Sequence, residues 1–134
     1  MLFEAIAEHD IPAAVRTAAE HDRVGAAIVD TSRILDSNDH YLRIVGYSRA
    51  ELDAGEVSWL RLTPPEWLAA DARVIGELRV RGRAAPYEKE YIRRDGTTVK
   101  VRIGTRLLGL DPLRILAVVA TAGDLQAEAL VEAL

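Results

Sequence analysis

The C-terminal half of this chain constrains its fold most. Val99-Lys100-Val101-Arg102-Ile103 alternates strictly between apolar and charged residues. Period 2 is the signature of a strand with one face buried and the other wet or covered by a later element. Before it, Tyr87 to Arg94 leads into Asp95-Gly96, a strong hairpin signal. After it, Asp111-Pro112 marks a turn and Leu113 to Val119 forms a third run. Three such runs predict an antiparallel meander. Val99, Val101 and Ile103 are expected to face packed helices, with Lys100 and Arg102 facing away, because a one-residue slip would invert the whole set.

The first half carries one more hairpin among helix signals. Ile11-Pro12 separates two short helical pieces, since proline fixes φ and restricts the residue before it. Pro12 is expected as the first residue of the second piece, which runs to about Asp22 with an alanine-rich side and Val15. Val24 to Val29, then Asp30-Thr31-Ser32, then Ile34-Leu35 reads as strand, turn, strand. Asn38 is placed to cap a helix through Leu42, Ile44 and Val45 that Gly46 stops. Ser48-Arg49-Ala50-Glu51 and Thr63-Pro64-Pro65-Glu66 both have the form of a capping box. The second is expected to open the longest helix, through Trp67, Leu68, Val74, Ile75 and Leu78 to Gly82, with Glu77 and Arg81 paired on its wet side. Asp124 to Leu134 reads as a helical tail. Strands at both ends with helices between them predict an α+β fold with one antiparallel sheet.

Composition excludes several classes. The 134 residues suit one domain. There is no cysteine, which removes disulfides, thiolate metal sites and thiol catalysis, and fits a reducing, cytoplasmic setting. The net charge of −4 provides no global field for nucleic acid or an anionic membrane. Apolar runs fall far short of the roughly 20 residues that cross a bilayer. The start, Met1-Leu2-Phe3-Glu4, lacks the basic region of a signal peptide. No glycine-rich phosphate loop or nucleophile motif appears, so no enzyme is expected. Arg79, Arg81 and Arg83 form a local basic patch beside Glu77, Glu88 and Glu90, which reads as solvated surface.

Three stretches carry a family resemblance. Residues 38–52, from Asn38 through Gly46-Tyr47-Ser48 to Glu51-Leu52, are similar to the N-x-x-F…GYS helix of PAS (Per-Arnt-Sim) domains and the r-x-E-L after it. Residues 59–66, with Trp59 and Thr63-Pro64-Pro65-Glu66, resemble that family's W-x-x-l-t-P-e. Residues 87–97, Tyr87-Glu88-Lys89-Glu90-Tyr91-Ile92-Arg93-Arg94-Asp95-Gly96-Thr97, resemble its y-e-x-E-y-r-r-k-D-G-s. The resemblance implies a five-stranded antiparallel sheet with helices packed on one face, over residues 24–122. Residues 1–23 would then be N-terminal flanking helices, and residues 123–134 a C-terminal linker or signalling helix. One departure stands out. Many members close on D-I-T, whereas Thr121-Ala122-Gly123 here has no acid at the first place, and Asp124 substitutes only after a shift.

The resemblance also bears on cofactors. Light-sensing members of the LOV type form a flavin adduct through a cysteine, which is absent. Tyr91 and Val101 stand where LOV domains place flavin-binding asparagines, so non-covalent flavin is disfavoured. His9, His21 and His40 lie off the longest helix, where haem-binding members place their ligand, and read as structural. No cofactor or metal is expected.

Function then follows the resemblance: a signal-sensing or interaction module of a regulatory protein, upstream of an effector such as a kinase, cyclase or transcription factor. Two readings stay open. In one, a small apolar ligand sits among Tyr41, Val45, Trp59, Val74, Leu78, Tyr91, Val101 and Ile103, which project inward in the implied arrangement. In the other, the domain is a ligand-free dimerisation and relay module. A homodimer is expected through Val15, Ala18, Ala19, Leu125 and Leu130, because the alanine-rich opening helix and leucine-rich tail need an apolar surface to cover them.

Overall fold

A computed structural model of the chain describes residues 2–7 and 10–134. A 3-10 turn over Leu2–Ala5 precedes helix α1 (Ala13–Glu20). Strands β1 (Gly25–Val29) and β2 (Ile34–Ser37) form the first hairpin. Short helices follow: α2 (Asp39–Val45), α3 (Arg49–Asp53) and α4 (Trp59–Leu62). A 3-10 turn at Pro65–Trp67 leads into α5 (Leu68–Arg81). Strands β3 (Arg83–Ile92), β4 (Thr98–Leu110) and β5 (Leu113–Thr121) make the meander, and α6 (Leu125–Ala133) closes the chain. The sheet order is β2-β1-β5-β4-β3, every pair antiparallel.

The expected strand register is the one found. Val99, Val101 and Ile103 are buried, Lys100 is exposed and Arg102 is half-buried. The inner face carries two apolar clusters, one built from β1, β4 and β5 with α2 and the following loops, the other from Val74, Leu78, Leu113 and Ile115. The outer face is covered as well. Val24, Ala26, Ile28, Leu116, Val118 and Ala120 meet Val15, Ala18 and Ala19 of α1 and Ala127 and Val131 of α6. β1 and β5 are therefore buried on both faces, which explains their near-continuous aliphatic sequence.

Asn38 ties the layers together. Its Oδ1 accepts from the Tyr41 N–H at 3.0 Å, capping α2, and from the Ala26 N–H at 3.0 Å. Its Nδ2 donates to Ala19 O at 3.0 Å and Val24 O at 2.8 Å. One amide thus joins α1, β1 and α2, with every donor of its side chain satisfied. Gly46 ends α2 at φ +80°, where a Cβ would be strained.

Three local expectations need correction. Pro12 precedes α1 as its cap and is not the first helical residue. Ser48 and Glu51 do form a reciprocal capping box, but Thr63 and Glu66 do not. The Thr63 hydroxyl is drawn into a buried network instead, and a 3-10 turn separates it from α5. On α5 the charged pair is Arg73–Glu77 at 3.5 Å, not Glu77–Arg81. The tail, expected to need an apolar surface to cover it, packs on its own sheet through Ala127 and Val131 and leaves Leu125 exposed.

Candidate functional site

The inner face holds charge where its pattern promised hydrocarbon. On β3, Tyr87, Lys89 and Tyr91 alternate inward, and Lys89 is only 2% exposed. On α5, Asp71 shares a stripe with Val74 and Leu78 at helical spacing and is 5% exposed. Lys89 Nζ donates to Asp71 Oδ2 at 2.6 Å and to the Thr63 hydroxyl at 2.7 Å. Thr63 in turn donates to Trp59 O at 2.7 Å, and the Tyr87 hydroxyl donates to Asp71 Oδ1 at 2.7 Å. The ammonium also lies 5.1 Å from the Tyr91 ring centre and 6.0 Å from that of Trp59, where ring quadrupoles attract a cation. Tyr41 meets Tyr91 edge to face, with ring centres 6.0 Å apart.

Burial dominates the ionisation of these groups. It pulls the Lys89 ammonium below its usual range, against the opposing pull of the Asp71 charge and hydrogen bond. It pushes the Tyr87 phenol up, and the adjacent Asp71 charge pushes it further. Tyr41 and Tyr91 are likewise raised by burial. A buried ion pair of this kind adds little net stability, because desolvation offsets the Coulomb attraction, yet removing one partner is costly.

Beside the network is a cavity of about 50 Å³. Its polar wall is Asp71, Lys89, Tyr87 and Thr105, and its apolar wall includes Val29, Ile34, Ile75, Ile115 and Ala117. Of the residues expected to line a pocket, Trp59, Val74, Leu78, Tyr91 and Ile103 do so. Tyr41, Val45 and Val101 lie behind it in the packed core. Lys89, Asp71 and Thr105 were missed, although signals existed. The alternation that turns Tyr87 and Tyr91 inward turns Lys89 inward too, and the one that seats Val101 and Ile103 seats Thr105.

The remaining expected residues fall elsewhere. Val15, Ala18 and Ala19 are buried under the sheet of their own chain, so they present no surface to a second copy. The reason is that their small side chains let α1 lie flat on β1 and β5. Leu125 is 76% exposed and Leu130 half-buried. His21 and His40 engage backbone carbonyl oxygens, His21 Nδ1 at 2.9 Å from Thr17 O and His40 Nδ1 at 2.7 Å from Asp22 O. His9 lies outside the described residues. Among the described residues, no group of three or more His, Asp or Glu is placed to hold a metal, and no helix is long and apolar enough to cross a membrane. Asp124 caps α6 by accepting from the Ala127 N–H at 3.2 Å.

Known proteins resemble this chain in sequence and shape. No family model matches the sequence. Over 75 residues it is 40% identical to the hybrid signal transduction protein dokA of Dictyostelium discoideum, a match that covers 56% of this chain and 4% of that protein. A domain of a sensory box sensor histidine kinase/response regulator from Geobacter sulfurreducens superposes with a TM-score of 0.58 at 29% identity, over 79% of this chain and 90% of that one. The PAS domain of a LuxR-family transcriptional regulator from Burkholderia thailandensis, solved with ethanol, superposes with a TM-score of 0.63 at 19% identity, over 80% and 96%. The five-stranded antiparallel sheet with its helices superposes on these domains, and this chain has the PAS fold.

Proposed function

We propose that this domain is a sensory input module of a larger regulatory protein, not an enzyme, and that its input is a small molecule held between α5 and the inner sheet face. The observation that carries this reading is the cavity of about 50 Å³ with a buried, hydrogen-bonded ion pair in its wall. A void lined only by hydrocarbon would be a packing defect; one that keeps Lys89 and Asp71 at its edge has a means of recognition. The ethanol-bound domain from Burkholderia thailandensis supports a ligand of this size. Flavin and haem do not fit, since drug-sized ligands take roughly 300–1,000 Å³.

The output reaches the effector through the outer face. Ile103 and Thr105 point to the cavity, while Gly104 between them lies under Val131 of α6. A cytoplasmic kinase, cyclase or transcription factor downstream of α6 suits the signalling proteins this chain resembles. Pairing of two copies would use the Leu125 and Leu130 side of α6, which stays accessible. Hydrogen exchange with and without ligand tests the sensory reading. Saturation with ethanol is expected to change protection in α6. Binding that leaves α6 exchange unaltered, or no binding, favours the ligand-free relay reading. Light scattering at about 100 μM tests the dimer, since a micromolar complex is then mostly formed.

A further inference from the structure

Lysine is rare in this chain. Of its 17 lysines and arginines, only Lys89 and Lys100 are lysine. Lys100 is exposed, whereas Lys89 is 2% exposed and stands in the cavity wall. For a buried ion pair alone the guanidinium is the better cation, since its planar fork meets a carboxylate with two parallel N–H bonds. What a lysine adds is an amine that can give up its proton, which arginine cannot. Lys89 donates to Asp71 and Thr63, and its third N–H meets no acceptor among the described residues. Burial already pulls the ammonium below its usual range, and a desolvated lysine is the stronger nucleophile near neutral pH.

The buried pair selects which electrophile that amine can take. Acylation would make a neutral amide and strand the Asp71 charge at 5% exposure. A carbamate would set a second anion beside it. An imine formed from an aldehyde keeps the positive charge. Asp71 Oδ2, 2.6 Å from Nζ, takes one proton from the ammonium. The freed lone pair forms a C–N bond to the carbonyl carbon, and a nitrogen proton passes to the carbonyl oxygen. Asp71 returns its proton to the resulting hydroxyl, the C–O bond breaks and water leaves. The product is an iminium with one N–H and one positive charge, so the ion pair survives. At about 12 Å³ for each water-sized centre, the cavity admits about four heavy atoms. Its hydrocarbon wall, Val74, Leu78 and Ile115, suits an uncharged aliphatic chain.

Resting on the sensory reading above, we infer that Lys89 is a covalent capture site, taking a short uncharged aliphatic aldehyde into the cavity as an iminium paired with Asp71. The signal is then a reactive carbonyl, and water reverses the capture once the aldehyde is gone.

The test is reductive trapping of the full chain with acetaldehyde and sodium cyanoborohydride near neutral pH, read by peptide mass spectrometry. Exposed Lys100 is the internal reference. Lys89 is expected to be ethylated about tenfold faster than Lys100. Benzaldehyde, too large for the cavity, is expected to reverse that order on the same unmodified chain. Ile75 is half-buried in the cavity wall, so Ile75→Trp fills the space from its edge. That variant is expected to slow trapping at Lys89 about tenfold and leave Lys100 unchanged. The inference is overturned if acetaldehyde traps Lys89 no faster than Lys100, or if benzaldehyde traps Lys89 just as fast. Full trapping at Lys89 in Ile75→Trp overturns it too. In each case xenon entry, seen as NMR shifts at the Ile115 and Ala117 amides, still leaves the cavity a ligand site. If neither acetaldehyde nor xenon enters, the sensory reading itself falls.

Discussion

Over β1 and β5 both faces of the sheet are covered, and they are differently made. On the outer face, β1 and β5 present Val24, Ala26, Ile28, Leu116, Val118 and Ala120 to α1 and α6. The joint is dry and aliphatic, and its alanines let the helices lie close. On the inner face, tyrosines, a lysine and an aspartate are buried beside the aliphatics. Aliphatic packing fills the outer joint, with polar ties at its edges from Asn38 to Ala19 and from Arg102 and Arg106 to the end of α6, whereas the polar groups buried within the inner face must find partners or cost stability. A flanking helix suits the first arrangement, because an aliphatic joint tolerates small shifts. A recognition site suits the second, because it rewards a matching ligand.

The largest test of this contrast is alkaline pH. Tyr41, Tyr87 and Tyr91 all lie on the inner side, and burial raises each above the ordinary phenol value of 10.0. Unfolded phenols release protons from about pH 10, while folded ones hold them, so stability falls as pH rises. All three phenols act in the same direction, so the loss of stability above pH 10 is steep. Lys89 acts with the opposite sign, adding stability only as pH rises toward 10.5. Tyrosinate absorbance at 295 nm should therefore rise together with loss of circular dichroism. Three phenols titrating ahead of unfolding would show that the inner face is wet.

Next in size is the ion pair. Asp71→Leu leaves Lys89 buried without its counter-ion and should cost about 3–5 kcal/mol in urea unfolding. Lys89→Met alone should be similarly costly. The double variant, hydrocarbon on both sides, should recover most of the loss. Additive costs would mean that the two charges do not depend on each other, despite their 2.6 Å contact.

How much of this was legible beforehand differs between the faces. The sheet, its register and the Asn38 and Ser48 caps follow from period-2 alternation and short polar residues at helix starts. The outer joint was half legible. Val15 with Ala18 and Ala19 announced a helix needing a surface, but a stripe cannot say whose surface, and the chain's own sheet covers it. The inner network was missed because a charged residue inside an alternating strand looks like an interruption. Glu88 and Glu90, which read as solvated surface beside the basic patch, flank the buried Lys89. Thr63 misled for a different reason. Its spacing to Glu66 imitates a capping box, but a hydroxyl satisfies its strongest nearby partner, and the Lys89 ammonium at 2.7 Å outcompetes a backbone N–H.

A smaller effect probes the outer joint. A Cβ on Gly104 would lie 3.0 Å from the Val131 carbonyl oxygen and 3.1 Å from Leu134 Cδ2. Backbone cannot yield as a side-chain tip does, so Gly104→Ala must lift the end of α6, at about 1–3 kcal/mol. Arg102 and Arg106 hold that end through Glu132 and the Leu134 carbonyl, so amide exchange there should quicken while the cavity residues keep theirs. Loosening of both faces together would mean that they are one joint.

The smallest expected effects set the scale for polar contacts at the surface. The Ser48 hydroxyl accepts from the Glu51 N–H at 3.1 Å, and Glu51 accepts from the Ser48 N–H at 2.9 Å, both exposed. Ser48→Ala should cost about 1 kcal/mol, the ordinary worth of an N-cap. For a chain of this length that is about 4 °C in melting midpoint. Glu66 stands at the matching place in the other motif but caps nothing and is exposed, so Glu66→Ala should stay within about 0.5 kcal/mol of the parent. The Ser48 hydroxyl makes one hydrogen bond and the Asp71 carboxylate three, and the expected costs differ about fourfold, because water also replaces the lost partner at the surface and not in the buried network. A Ser48→Ala cost as large as that of Asp71→Leu would remove burial as the cause.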